Sequence, residues 1–152
     1  MRPKDPGEGE TMTIKEKKNY LRQYRALRKE ELQILYEIRQ IKASALPKSA
    51  GFSGAGGGSG ERDLSDWAAK WDEAERRLAE TMAAAAAARI QIEEDLENVK
   101  DVRERVLLRG HYIQGKNFAK LGRETGYTER YMWTLHKTAL QHFEPKRKDC
   151  SL

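Results

Sequence analysis

The residues best suited to chemistry lie on one predicted helix near residue 130. After a candidate cap, Thr128, the apolar residues Met132, Leu135 and Ala139 recur at spacings of three and four, which predicts a buried face. The opposite face carries an acid, an indole, a hydroxyl and two cations: Glu129, Arg130, Trp133, Thr134 and Lys137. Such side chains can bond to base edges or contact a thymine methyl in the DNA major groove. We therefore predict that these five residues contact DNA bases.

Two shorter helices are predicted to hold this helix in place. A capping box over 101–104 opens the first, which would end at Gly115, a residue suited to a C-terminal cap. Asn117 can cap the next helix, over 118–125, and Gly126 can supply the tight turn that follows. This spacing is typical of a helix-turn-helix, in which the second helix of the pair enters the major groove.

The distribution of charge favours a polyanionic partner. Residues 100–152 carry 12 basic and 6 acidic side chains, residues 61–99 carry 5 and 11, and residues 1–45 carry 11 and 7. A basic C-terminal third meets the electrostatic requirement of nucleic acid, although a merely solvated surface would have a similar composition. The residues predicted to contact phosphates are Arg103, Arg109, Lys116, Asn117, Lys120, Arg123 and Thr128.

Two long amphipathic helices are predicted before this module. The first covers 13–45, opened by a capping box of Thr13 and Glu16, and the second covers about 65–99; both carry apolar heptads. The linker between them, 46–60, holds six glycines. In a parallel pair this linker would have to run the length of a helix, which it could do only when almost fully stretched, so we expect antiparallel packing. The predicted fold class is all-α: a long antiparallel, coiled-coil-like helical hairpin followed by a three-helix helix-turn-helix module.

The apolar seams of the two long helices also predict how they align. The antiparallel hairpin places Tyr20 and Tyr24 opposite Ala88 and Ala85, large residues against small ones, and brings the charged seam residue Glu31 near Arg77. Two helices alone bury only one stripe each, so we expect homo-oligomerisation, most simply as a dimer that forms a four-helix bundle. The alternative is a monomer in which long side chains cover the remaining apolar surface. The residues predicted to serve oligomerisation are Tyr20, Tyr24, Leu27, Ile34, Ile38, Ile41, Trp67, Trp71 and Leu78.

The expected organisation therefore has four segments. They are a disordered N-terminus over 1–12, the oligomerisation arm over 13–99, the DNA-binding module over 100–144 and a disordered basic tail over 145–152.

No pattern in the sequence predicts catalysis. His111, His136 and His142 lack metal-ligand spacing with acids or cysteine, so we assign them surface or packing roles. The acidic run over 93–95 is interpreted as a solvated helix face rather than a paired-carboxylate site. We expect no enzymatic activity, no catalytic residue, no metal and no cofactor.

The sequence also predicts the cellular compartment. Cys150 is the only cysteine, which excludes a disulfide within the chain and favours a reducing cytoplasm. No apolar run approaches the roughly 18 residues of a membrane span, and no apolar segment typical of a secretory signal opens the chain. We expect a cytoplasmic protein with no membrane partner.

The segment NFAKLGRETGYTERYMWTLHKTALQHF resembles the fourth conserved region of bacterial sigma factors, which reads the promoter −35 element. The match rests on Thr128, the apolar residues Met132 and Leu135, and the pair Ala139 and Leu140. The wider layout, with MTIKEKKNYLRQYRALRKE before a Gly-rich middle, resembles small phage proteins of Gram-positive bacteria related in style to the late-gene regulators ArpU and RinA.

The resemblance implies base contacts by Glu129, Arg130, Trp133 and Thr134. Trp133 stands where the sigma family has a base-reading arginine, which implies a target other than a standard −35 box, and nothing resembles the sigma regions that melt DNA. The implied function is a phage- or prophage-encoded transcriptional regulator that binds double-stranded DNA in the bacterial host cell, with host RNA polymerase as a further partner. The alternative is a small-terminase-like DNA-packaging protein that assembles a ring; a purely scaffolding protein is a third interpretation.

Overall fold

The computed structural model describes residues 11–45 and 60–146, with the backbone alone for 60–63. Within these residues the chain forms five α-helices and no strand: α1 (Ile14–Ala45), α2 (Gly60–Glu97), α3 (Val102–Leu108), α4 (Phe118–Thr125) and α5 (Glu129–His142). The helix α3 continues as a π-helical turn, Arg109–Ile113. The predicted all-α class is confirmed. The predicted disorder over 1–10 and 147–152, and the predicted linker over 46–59, lie outside the described residues.

The start of α1 follows from its local sequence. Glu16 accepts a hydrogen bond from the backbone N–H of Thr13 at 2.7 Å, and the Thr13 hydroxyl accepts one from the N–H of Glu16 at 3.2 Å. This reciprocal capping box satisfies donors that the first helical turn leaves unpaired. The helix α2 begins at Gly60, five residues before the expected Ser65, and ends at Glu97.

The chain divides into two compact units, and α1 and α2 contribute to both. The first unit comprises Met1–Arg25 and Ala88–Leu152, and the second comprises Ala26–Ala87. The four segments expected from the sequence were defined by function and not by compactness, so this division does not test them. Their boundaries stay a prediction.

The core of the first unit packs against the buried side of α5. Its fully buried residues include Leu21 from α1, Ile92 and Leu96 from α2, and Leu108 from α3. Because the beginning of α1 and the end of α2 belong to this core, they help to determine where α5 lies.

Asp95 of α2 is buried in the first unit, although the sequence analysis placed it on a solvated face. It accepts a hydrogen bond from the Tyr20 hydroxyl and another, at 3.2 Å, from the backbone N–H of Lys146. These donors satisfy a carboxylate that burial would otherwise destabilise. The prediction of a solvated face was wrong for this residue because its partners are distant in sequence.

The second unit has a smaller core. Ile34 and Ile38 of α1 are buried against Ala74 of α2. The indole N–H of Trp67 donates to the carbonyl of Ile41 at 2.6 Å. These contacts pair later residues of α1 with earlier residues of α2.

The predicted position of Tyr24 opposite Ala85 stays a prediction. The ring of Tyr24 lies near the guanidinium of Arg89, which is 5.8 Å from the ring centroid, and Arg89 is one helical turn beyond Ala85. The hydroxyl of Tyr20 bonds to Asp95, also on α2.

The expected pairing of Glu31 with Arg77 does not form. Arg77 donates to Glu37 at 3.1 Å, and the buried Glu31 pairs with Arg28, one turn before it on α1. Arg28 bonds to one carboxylate oxygen of Glu31, and the other, Oε1, is buried without a hydrogen-bond partner among the described residues.

Among the described residues, no helix combines the length and the apolar character needed to cross a membrane.

Candidate nucleic-acid interface

The helix α5 begins where its sequence predicts. The hydroxyl of Thr128 accepts a hydrogen bond from the backbone N–H of Tyr131 at 3.1 Å, so it caps the N-terminus. One side of the helix is buried, and Met132, Leu135 and Ala139 all lie on it as expected. The amphipathic pattern therefore leaves the opposite side open to a partner.

All five residues predicted to contact bases are exposed. Arg130 lies in the first turn and Lys137 two turns later, and within the described residues neither forms an ion pair. The hydroxyl of Thr134 donates to the carbonyl of Arg130 at 3.2 Å, so its oxygen remains available to accept. Glu129 lies in the first turn, where its carboxylate complements the helix dipole.

Trp133 differs from the other four because it also packs within the module. Its ring meets the edge of the buried Phe118, with centroids 4.5 Å apart, yet 53% of the residue stays exposed. The indole is therefore held in one orientation while presenting an apolar surface outward.

Two of the residues predicted to contact phosphates are helix caps. The side-chain oxygen of Asn117 accepts from the backbone N–H of Lys120 at 2.8 Å, and Thr128 caps α5 in the same way. The Asn117 side-chain NH₂ and the Thr128 hydroxyl hydrogen remain as donors for a phosphate.

Three of the predicted phosphate contacts are cations that form ion pairs inside the chain. Their N···O distances are 3.0 Å for Arg103 with Asp101, 2.8 Å for Arg109 with Glu97 and 2.7 Å for Lys116 with Glu124. Hydrogen bonding from Arg103 lowers the pKa of Asp101, and hydrogen bonding from Lys116 lowers that of Glu124. Exposed pairs of this kind contribute little, so DNA can break them, but the carboxylates cancel part of the attraction.

Lys120 and Arg123 on α4 remain as unpaired candidates. Both are exposed, and neither forms an ion pair with a carboxylate in the described part of the chain. The structure therefore divides the predicted phosphate contacts into free cations, paired cations and helix caps.

Two glycines shape the turn between α4 and α5. Gly126 has φ of +80°, a left-handed conformation that glycine adopts without strain. A Cβ at Gly122 would lie 2.6 Å from the carbonyl oxygen of Tyr127, so a small residue is needed where the turn crosses α4. The tight turn at Gly126 is as the sequence predicted.

A cluster of neutral aromatic and imidazole side chains supports α5 from beneath. His136 is buried, and its Nε2 lies 2.8 Å from the hydroxyl of Tyr112. Burial, together with nearby positive charge, lowers the pKa of His136 to about 4. Burial also lowers the pKa of His111, which stacks on Phe118 with ring centroids 4.5 Å apart. Both imidazoles are neutral near pH 7, in line with the expected packing roles.

Two contacts that position α5 were missed in the sequence. Lys17 of α1 is buried and donates to the carbonyls of Leu140 and Gln141, at 3.0 and 3.2 Å. His142 lies 2.9 Å from the buried carboxylate of Glu104. No local signal identified these pairs, because a lysine or glutamate in an amphipathic helix ordinarily faces water.

The residues predicted to serve oligomerisation are already packed within the chain. Ile34 and Ile38 are buried, and the other seven are partly buried. Large apolar residues of the second unit remain exposed beside them, notably Leu32 at 66% and Tyr36 at 64%. Self-association stays a prediction. Leu32 and Tyr36 are more exposed than the nine predicted residues and are therefore better placed to contact a second copy.

Among the described residues, no group of three or more histidine, cysteine, aspartate or glutamate side chains is arranged to hold a metal ion.

No family model, curated protein or solved structure matches this chain.

Proposed function

We propose that this protein is a sequence-specific, double-strand DNA-binding transcriptional regulator, encoded by a phage or prophage. In this proposal α3, α4 and α5 form a sigma-region-four-like helix-turn-helix, and α5 enters the major groove. The protein acts in the cytoplasm of the bacterial host, and host RNA polymerase is a further partner.

The observation that carries the proposal is the two-sided character of α5. Met132, Leu135 and Ala139 are buried, whereas Arg130 and Lys137 are exposed and form no ion pair within the described residues. Unpaired cations also occur on solvated faces such as that of Arg76, but here they lie beside an indole whose ring packs on Phe118. A face that reads bases needs such donors, held rigidly by a packed opposite side.

We also propose that the protein works as a dimer assembled through α1 and α2, which form an antiparallel hairpin. The exposed Leu32, Leu35 and Tyr36 of the second unit recur at spacings of three and four, so they lie on one side of α1. A second copy would cover them in a four-helix bundle. Two DNA-binding modules would then prefer half-sites about one helical turn, or a multiple of it, apart.

The same exposed side chains are compatible with the alternative, a ring of a small-terminase-like packaging protein. Mass in solution separates the two assemblies: a dimer supports regulation, and a ring of many copies supports packaging.

Selection of bound sequences from random double-stranded DNA tests the proposed reader. The wild-type protein should enrich a common motif. Arg130→Ala should weaken binding to that motif by about tenfold to a hundredfold, because a good bidentate base contact is worth about 1–3 kcal/mol. Arg76→Ala is the matched control, since Arg76 is an exposed arginine of the second unit with no ion pair among the described residues.

Three results would contradict the proposal. One is a selection that enriches no motif. Another is an Arg130→Ala, Lys137→Ala double variant that binds the motif as tightly as the Arg76→Ala control. The third is binding to single-stranded DNA alone.

A further inference from the structure

The first turns of α1 carry a row of cations that the sequence analysis did not connect with DNA. Lys18, Arg22 and Arg25 follow one another at spacings of four and three, so they lie on one side of the helix. Leu21, which is fully buried in the core of the first unit, is three residues from Lys18 and four from Arg25, so the row borders the buried side of α1.

Contacts within the first unit place this part of α1 beside the DNA-binding helices. Lys17 bonds to the last carbonyls of α5, at Leu140 and Gln141. Two turns later, the guanidinium of Arg25 lies over the backbone of Gly115, close enough that an added Cβ there would be 2.9 Å from it. Gly115 lies two residues before Asn117, the cap of α4. The row of cations therefore runs from the end of α5 towards the start of α4.

The charges of this row are free. Arg22 and Arg25 are exposed and Lys18 is partly buried, and none of the three forms an ion pair within the described part of the chain. By contrast, Arg103 and Arg109 of the predicted phosphate contacts each pair with an acid.

The two imidazoles beside the row, those of His111 and His136, carry no compensating negative charge. Both side chains lie close enough to the row to feel its charge. Burial is the main cause that lowers the pKa of both imidazoles, and the cations of the row lower it further. The imidazoles are therefore neutral near pH 7, and the field of the cations extends into solvent. A row of unneutralised cations on a folded surface is a site for a polyanion.

The length of the row fits a phosphate backbone. Arg25 is seven positions after Lys18, so at about 1.5 Å per residue the row spans about 10 Å. One DNA strand presents a phosphate about every 3.4 Å along the axis, so the row covers about three phosphates.

We propose that Lys18, Arg22 and Arg25 form a phosphate-binding strip that contacts the DNA backbone beside the bases met by α5. This inference rests on the proposed function, because it needs a duplex docked on α5. Phosphate contacts carry no sequence information, so the strip adds affinity for any duplex and fixes the position of α5 in the groove.

The double variant Arg22→Ala, Arg25→Ala tests the strip, and Arg39→Ala, Arg76→Ala is its control. The control removes the same charge from two exposed arginines of the second unit, neither of which forms an ion pair among the described residues. Binding to a selected site and to a random duplex is measured by fluorescence anisotropy from 50 to 400 mM salt, and circular dichroism checks that each variant is folded.

The strip predicts a particular salt dependence. Losing two phosphate contacts should reduce the slope of log affinity against log salt by about 1.8. If affinities converge at 1 M salt, that slope change makes the variant about sixtyfold weaker at 0.1 M salt, on both duplexes alike. The lysine variant Arg22→Lys, Arg25→Lys should recover most of the affinity, because a phosphate contact needs charge more than shape.

The outcomes separate this inference from the function on which it rests. If Arg130→Ala weakens binding but Arg22→Ala, Arg25→Ala matches its control, the strip is refuted and the proposed function stands. A loss confined to the selected site would also refute the strip, since it would indicate base reading. If the wild-type protein binds no duplex at all, the proposed function fails first.

Discussion

Replacing Lys17 with methionine tests how the start of α1 is attached to α5. Lys17 is only 6% exposed, and its Nζ donates to the carbonyls of Leu140 and Gln141. These carbonyls lie in the last turn of α5, where the helix itself runs out of donors. Lys17 therefore satisfies two acceptors and places positive charge at the negative end of the helix dipole.

The size of the effect follows from three contributions. Hydrogen bonds from a charged donor contribute about 1.5–3 kcal/mol, and charge at a helix end adds about 0.3–1 kcal/mol. Methionine keeps the length and the apolar stem of the side chain, and its burial avoids the cost of desolvating an ammonium, which offsets part of the loss. We expect Lys17→Met to lower the free energy of unfolding of the first unit by about 2 kcal/mol.

Urea denaturation followed by circular dichroism measures this loss, and hydrogen exchange of the α5 amides localises it. Lys15→Met is the matched control, because Lys15 is an exposed lysine on the same helix. A Lys17→Met variant as stable as the Lys15→Met variant would show that this attachment does not hold α1 to α5.

Two further experiments, with three substitutions, test the support of α5. Burial lowers the pKa of His136 from 6.5 to about 4, so the unfolded chain binds a proton that the folded chain does not. The free energy of unfolding should therefore keep its full value above pH 6.5 and decrease by up to about 3 kcal/mol as the pH falls towards 4. His136→Gln should flatten this dependence in urea denaturation between pH 7.5 and 4.5, and an unchanged slope would assign it to other groups. Gly122→Ala should cost about 1–3 kcal/mol because its Cβ meets the carbonyl of Tyr127, whereas Gly126→Ala meets no atom within 4 Å and should cost about 1 kcal/mol through its positive φ. Thermal denaturation compares the two, and the opposite order would contradict the geometry of the turn.

Much of the helical framework could be predicted from the sequence because its signals act over three or four residues. Thr13 and Thr128 cap helices through hydrogen bonds to residues three positions away, and Asn117 does the same. Gly126 takes the positive φ that the turn requires. The buried side of α5 follows from the helical period alone.

The polar pairs of the long helices could not be predicted in the same way. The predicted alignment brought Glu31 near Arg77, but Arg77 pairs with Glu37 and Glu31 pairs with Arg28. The hydrogen bond of Tyr20 to Asp95 joins residues 75 positions apart. No local pattern marks Asp95 as a buried acceptor.

By itself, the sequence determined the all-α class, the caps, the turn and the outward residues of α5, because each depends on neighbours along a single helix. Only the tertiary structure decided which cations are free. It pairs Arg109 with Glu97 of α2 and leaves Arg22 and Arg25 without an ion pair among the described residues. Charge pairing depends on distances through space, and those distances are defined only after the helices have packed.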